Sequence, residues 1–431
     1  ITNVENHGNI THAKADMDKM TLHMGGIIGF VNKSAITIGD ATKEAADIKN
    51  YGKIQSSKKS IQFGLGGIIG RIYCADREIN ITIQNCLNET SSTVSYAGWW
   101  AAANPSGLGG ILGCLAADKT DKISLKIHKC TNKAPVQKTG QGLQSNFHIG
   151  GIAGNLGLVA GSEAKTSTFN TVITNCTNTG AVNNTDNNYG RTGNYSYCGG
   201  IIGHFGCGGS VSGCINRGDV THSIYSKTDG AMRIGGIAGN ADNTSYSNCQ
   251  NYGTIKDASK AIQTDMGGII GRGNAANTQI TGCTNFGNLV CANTDTSKPN
   301  IYVSAGGIIG RVVQTGYVLT NRHCEAESTT KECVISNSNT IGKAILGGII
   351  GFGAKAAKIT DCSSKVTITD SYSSAERSGV FIGALTSGFT FTNCSAGGKY
   401  GETTLTAQNY TTYCFGSAFS SIATTGITFA E

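Results

Sequence analysis

The residues with most chemistry to offer in this 431-residue chain are its sixteen cysteines, and nine of them recur at one place in a repeat. Cys86, Cys130, Cys176, Cys214, Cys249, Cys283, Cys324, Cys362 and Cys394 fall at the end of phrases such as "IQNC", "ITNC" and "ITDC". Thiols so spaced could hold a metal, form disulfides or fill a core. Zinc sites favour C-x-x-C or H-x-H pairs, and the chain has neither, so no metal or other cofactor is expected. In "VENHGNI" at 4–10 and "IKNYGKI" at 48–54, Val4 and Ile48 stand in the cysteine's place. An aliphatic there suits a packed position and not a ligand or a bridge. The nine are therefore read as a structural ladder of small buried thiols. The other seven are Cys74, Cys114, Cys198, Cys207, Cys291, Cys333 and Cys414. Cys198 with Cys207 and Cys324 with Cys333 are candidate bridges, with connectivity left open.

A second kind of chemistry is stacking. Tyr96, Trp99 and Trp100 lie together in "SYAGWW" and include both tryptophans of the chain. Exposed, they would bind a sugar ring or anchor a protein partner; the other reading is a cap over the apolar interior. The eight histidines are scattered. A β-helix lyase or glycosidase needs carboxylates gathered on one face. Asp118, Asp121, Asp219 and Asp361 are placed for this but share no repeated spacing, so no enzyme is expected. Charge is low at 14% and the +7 excess is spread along the chain, which argues against disorder and against nucleic acid as a partner. Gly is abundant at 61 without a collagen period, and no apolar run is long enough for membrane insertion.

The elements that position these residues come from two alternating motifs. The pentad "GGIIG" or a close copy starts at Gly25, Gly66, Gly109, Gly150, Gly199, Gly235, Gly267, Gly306 and Gly347. Worn copies follow as "GVFIG" from Gly379 and "FGSAF" from Phe415. Between pentads runs I-x-N-C-x-N-x-G, as in "ITNCTNTGAV" at 173–182. Period-two stretches such as "INITI" and "ISLKI" read as strands. The N-x-G predicts a turn with positive φ, and the three-residue spacing of Ile and Cys predicts a corner between them. One repeat per coil, stacked at ~4.8 Å, makes an all-β parallel solenoid (β-helix) of about eleven irregular coils, roughly 50 Å long. Each coil is expected to hold three short strands, with a pentad isoleucine ladder inside. Residues 1–378 form the solenoid, and 379–431 are degenerate terminal coils and cap of the same domain.

Together, "GGIIG…NC.N.G.V…GGIIG" resembles the GLUG-motif repeats of bacterial and some protist surface proteins, over nearly the whole chain. The chain departs from that pattern in its cysteine count and in the residue after each cysteine. The resemblance implies an extracellular or cell-surface β-solenoid, often part of an adhesin, with no catalytic motif to transfer. The expected function is a non-enzymatic scaffold or adhesin presenting loops to host or cell-surface glycans or to a longer surface protein. The alternatives are a filament subunit stacking head to tail on other copies of itself, and a carbohydrate-active β-helix enzyme.

Overall fold

The computed structural model describes the chain apart from residues 13–20, 59, 75–77, 99–105, 118–121, 141–146, 159–167, 187–194, 224–230, 243, 260, 262, 293–301, 326–331, 340–342, 372–376, 387, 417–423 and 431. The coil from Gln62 to Tyr96 shows the pattern. An entry strand, Gln62–Gly66, runs into the pentad, and an exit strand, Ile69–Cys74, leaves it. A lead-in strand, Glu78–Gln84, brings the chain to the cysteine, and Cys86–Asn88 and Val94–Tyr96 follow. Each strand pairs in parallel with its equivalent one repeat on, so Gly66 lies beside Gly109 and Ile83 beside Ile127. One repeat is one coil, with five short strands where three were expected. Strands of the two post-cysteine positions share a 22-stranded sheet; the entry, exit and lead-in strands form sheets of nine, ten and ten. The molecule is an all-β parallel solenoid around one apolar cluster reaching from Leu22 to Ile427.

The expected corner falls on the residue before the cysteine. Asn85, Lys129, Asn175, Asn248, Asp361 and Asn393 have φ of 50–55°, and Gly213 and Gly282 take the same place. Asn and Gly tolerate this left-handed region best. The bend turns Ile83 and Cys86 towards the same interior, where both are buried. The glycine of N-x-G is not left-handed, contrary to expectation. It is there for space: a Cβ on Gly218 would lie 2.1 Å from the carbonyl oxygen of Gly180 in the coil below.

The asparagine of N-x-G points inward. Asn50, Asn88, Asn132, Asn178, Asn216, Asn251 and Asn285 are fully buried, and each of the first six donates from Nδ2 to Oδ1 of the next at 2.8–2.9 Å. Asn6, half-buried in the first coil, joins them at 2.7 Å. A second Nδ2 bond closes the coil's own turn, as from Asn178 to the Gly180 carbonyl at 2.8 Å. Across the interior, the second pentad glycine meets this ladder. A Cβ on Gly200 would lie 2.2 Å from Asn216 Cγ and 2.2 Å from the Gly236 carbonyl oxygen. The two isoleucines that follow are buried, as at Ile68 and Ile69, and stack coil on coil as expected.

Two details differ from expectation. The last pentad rung is "TYCFG" at 412–416, not "FGSAF", because Phe415 stacks on Ile382 and the Gly416 amide bonds the Gly383 carbonyl. Before it, Thr403–Thr404 pairs antiparallel with Lys399–Tyr400, and a short helix, Tyr410–Tyr413, runs into the rung. The cysteine ladder holds at eight of its nine positions, with Val4 and Ile48 in register below Cys86. Cys324 is the exception: it pairs beside Asn285, and Arg322 stands where the cysteine would be. Asn321, at φ 56°, bends the chain earlier there. The signal was present, since Gly306 to Cys324 spans 18 residues where neighbouring coils have 14–16. Arg322 is fully buried, its Nε and Nη2 meet no partner among the described residues, and burial pulls its guanidinium down to about 10.

Removing one inner rung strands the amides on both sides of it. Asn178→Ala is expected to destabilise by about 1–3 kcal/mol. Asn6→Ala, at the half-exposed start of the ladder, should cost markedly less. Thermal denaturation of the two variants beside the parent checks the ordering.

Candidate functional site

Entry and exit strands fold back on each other around the pentad until their backbones touch. A Cβ on Gly64 would lie 2.5 Å from the Gly70 carbonyl oxygen and 2.9 Å from Arg71 Cβ. This leaves a narrow seam between two sheets, bordered by one row of side chains from each and half-buried at His204, Arg272 and Arg311. Over the middle coils the entry row reads His148, Tyr197, Arg233, Asp265. The exit row reads Asn155, His204, Asn240, Arg272, Arg311.

The rows interlock. His148 stacks on Tyr197 at 4.8 Å, and the His204 ring lies 4.8 Å from His148 and 5.1 Å from Tyr197. His204 bonds Asn155 Oδ1 through Nδ1 at 3.1 Å and Asp242 Oδ2 through Nε2 at 3.3 Å. Arg233 donates from Nη1 to Asn240 Oδ1 at 2.6 Å, with its guanidinium over the rings of Tyr197 and Tyr195. Arg272 Nη1 sits 3.6 Å from Asp265 Oδ2, and the Arg311 guanidinium lies over Phe352. The Nε atoms of Arg233, Arg272 and Arg311 are themselves buried and meet no hydrogen-bond partner among the described residues. His204, Asp242, Arg272 and Arg311 are half-buried, while Tyr195 and Tyr302 stand exposed on the entry strands.

Electrostatics follows from crowding in a partly dry cleft. Burial pushes the Asp265 carboxyl up against the pull of Arg272, Arg311 and Arg233. Burial also acts to raise Asp242, but His204, Arg233 and Asn240 together hold it below the usual carboxylate range. Burial, with His204 and Arg233 nearby, drives His148 well below an ordinary histidine. Three guanidiniums thus face two carboxylates, a balance suited to holding an anion. Among the described residues, no three His, Cys, Asp or Glu side chains gather to hold a metal ion.

The anticipated stacking platform lies elsewhere. Tyr96 is fully buried: it stacks on Phe63 at 4.3 Å, and its hydroxyl meets Ser60 Oγ at 2.9 Å and the Lys58 carbonyl at 3.1 Å. A ring so enclosed offers no face to a sugar. Trp99, Trp100, Asp118 and Asp121 lie outside the described residues. Asp219 bonds the Thr254 amide on an exposed turn, and Asp361 accepts from Asn393, so the two are not brought together. A second buried row, including Lys138, His222 and Asp257, faces the interior beside Tyr96; Asp257 accepts from Thr264 Oγ1 at 2.7 Å. It is sealed from solvent.

The seam was missed in the sequence although its address is regular. Its entry row falls two residues before the first pentad glycine and its exit row five after it. Because residue types change along each row, no motif announces them.

The depressed His148 gives a pH test. A buried neutral histidine contributes stability that is complete above the unfolded value of about 6.5 and is lost as pH falls from there towards the folded value. His148→Phe, which keeps the stack on Tyr197, should therefore flatten the fall in Tm between pH 7 and 5. The slope removed is at most about 1.4 kcal/mol per pH unit. An unchanged profile would place the acid sensitivity elsewhere.

No family model, no curated protein and no solved structure matches this chain.

Proposed function

We propose that the protein is a non-enzymatic binding scaffold of the extracellular space or cell surface, an adhesin in the broad sense, whose ligand is an acidic polysaccharide lying along the seam. One observation carries this reading: the half-buried Arg272 and Arg311 stand in register one coil apart on a rigid frame, beside the buried Arg233, and make a row of positive charge along the seam. Successive coils repeat at ~4.8 Å, so the cleft presents a graded row of donors to an extended chain. Guanidinium forks suit carboxylate and sulfate groups, and Tyr195 and Tyr302 add exposed faces for sugar rings. Sheets on both sides hold the donors before the ligand arrives, which lowers the entropy lost on binding. The resemblance to GLUG-motif repeats supports the extracellular setting.

The test is binding of the full chain to immobilised acidic and neutral polysaccharides at two salt concentrations. Acidic chains should bind in a salt-sensitive manner, and Arg272→Gln with Arg311→Gln together should weaken binding at least tenfold. Trp99→Ala with Trp100→Ala, measured alongside, separates the seam from the tryptophan loop. Binding that survives the arginine changes, or no binding to any acidic chain, overturns the reading. End-to-end growth of rods in electron micrographs would then favour the filament subunit.

A further inference from the structure

In one coil both members of the N-x-G motif are cysteine. The strand register places Cys324 beside Asn285, in the asparagine row. It also places Ile335 beside Leu289, which puts Cys333, two residues earlier, level with Gly287. In most coils these two places lie two residues apart, as in Asn178 and Gly180, and the Asn amide ties them by bonding the carbonyl of the second. Here they lie nine apart, and the tie has no asparagine to make it.

The two sulfurs instead meet each other. Cys324 Sγ and Cys333 Sγ are 3.7 Å apart, both buried, beneath the amide of Asn285, whose Nδ2 is 3.6 Å from one and 3.8 Å from the other. Cys333 Sγ also takes over the contact to the Gly287 carbonyl, at 3.5 Å. In the coil with the other widened motif, Asn88 to Ser92, a serine does the same work: Ser92 Oγ bonds the Gly52 carbonyl at 2.8 Å and receives Asn50 Nδ2 at 2.9 Å. The ladder cysteines also neighbour one another up and down the stack, as Cys130 does Cys86 and Cys176, but each belongs to a different coil and none closes its own coil's turn. They direct Sγ at backbone carbonyls, as Cys176 does towards Thr174 and Ile127.

We infer that Cys324 and Cys333 form a disulfide that replaces the asparagine tie between these two places of the coil. The reaction needs a disulfide oxidant, such as oxidised glutathione. One thiol loses its proton and attacks the oxidant, releasing one glutathione thiolate. The second thiolate attacks the mixed disulfide, the protein S–S bond forms, and a second glutathione thiolate leaves. Two electrons pass to glutathione and two protons to solvent.

Sequence makes the product easy to see. Arg322 and Lys331 place Cys324 and Cys333 in separate tryptic peptides, 323–331 and 332–343. The full folded chain is incubated with oxidised glutathione, its free thiols are alkylated under denaturing conditions, and the non-reduced digest is read by mass spectrometry. The expected result is one linked peptide pair, abolished by dithiothreitol, with the oxidised chain melting higher than the reduced one. In Cys324→Ser and in Cys333→Ser the oxidant-dependent rise in Tm should vanish, while the reduced variants melt close to the reduced parent. Recovery of both peptides in singly alkylated form, or pairing of either cysteine with a ladder thiol, overturns the inference.

Discussion

The structure depends on how closely a coil's two walls approach across its interior. At the level of the second pentad glycine, the space between walls is filled by one asparagine carboxamide, leaving no room for a Cβ opposite. That carboxamide is fully buried and bonds the equivalent group above and below. A buried amide left unpaired is expensive, so each coil must fall into register with its neighbours or leave polar hydrogens stranded. Glycine provides the space and asparagine the register. Isoleucine fills what is left.

The same closeness produces the candidate site. Because glycines let the entry and exit backbones touch, the side chains just beyond them are held in two facing rows with little freedom to rearrange. Positions two before and five after the first glycine are free to vary without disturbing the coil. The chain has used them for His148, Arg233, Asp265, Arg272 and Arg311 in succession. A repeat frame with a variable lining is a physical basis for recognising an extended ligand.

The fold was largely legible in the sequence, because its constraints recur in every coil and act on residue type. The pentads, the corner before each cysteine and the substitution of Val4 and Ile48 all pointed to a stacked interior. What escaped was set by contacts between motifs. N-x-G looked like a turn signal, and only the structure shows the Asn facing Gly200-type positions across the interior. Cys324 looked like a ladder residue until the left-handed Asn321 placed Arg322 there. Tyr96 could be read as an exposed stacking face or as part of a cap over the interior, and it packs inside on Phe63, since its strand position points inward like Lys138 and His222. The seam offered no shared residue type to find.

The central claim is that the contact of glycine with the asparagine ladder holds the body together along its length. Amide hydrogen exchange, followed by mass spectrometry on the intact chain, tests it most directly. The account predicts uniformly slow exchange for pentad segments and Asn-ladder strands from about Gly66 to Asn285, with no weak coil among them. Fast exchange in those segments, or a sharp loss of protection partway along the ladder, would contradict it.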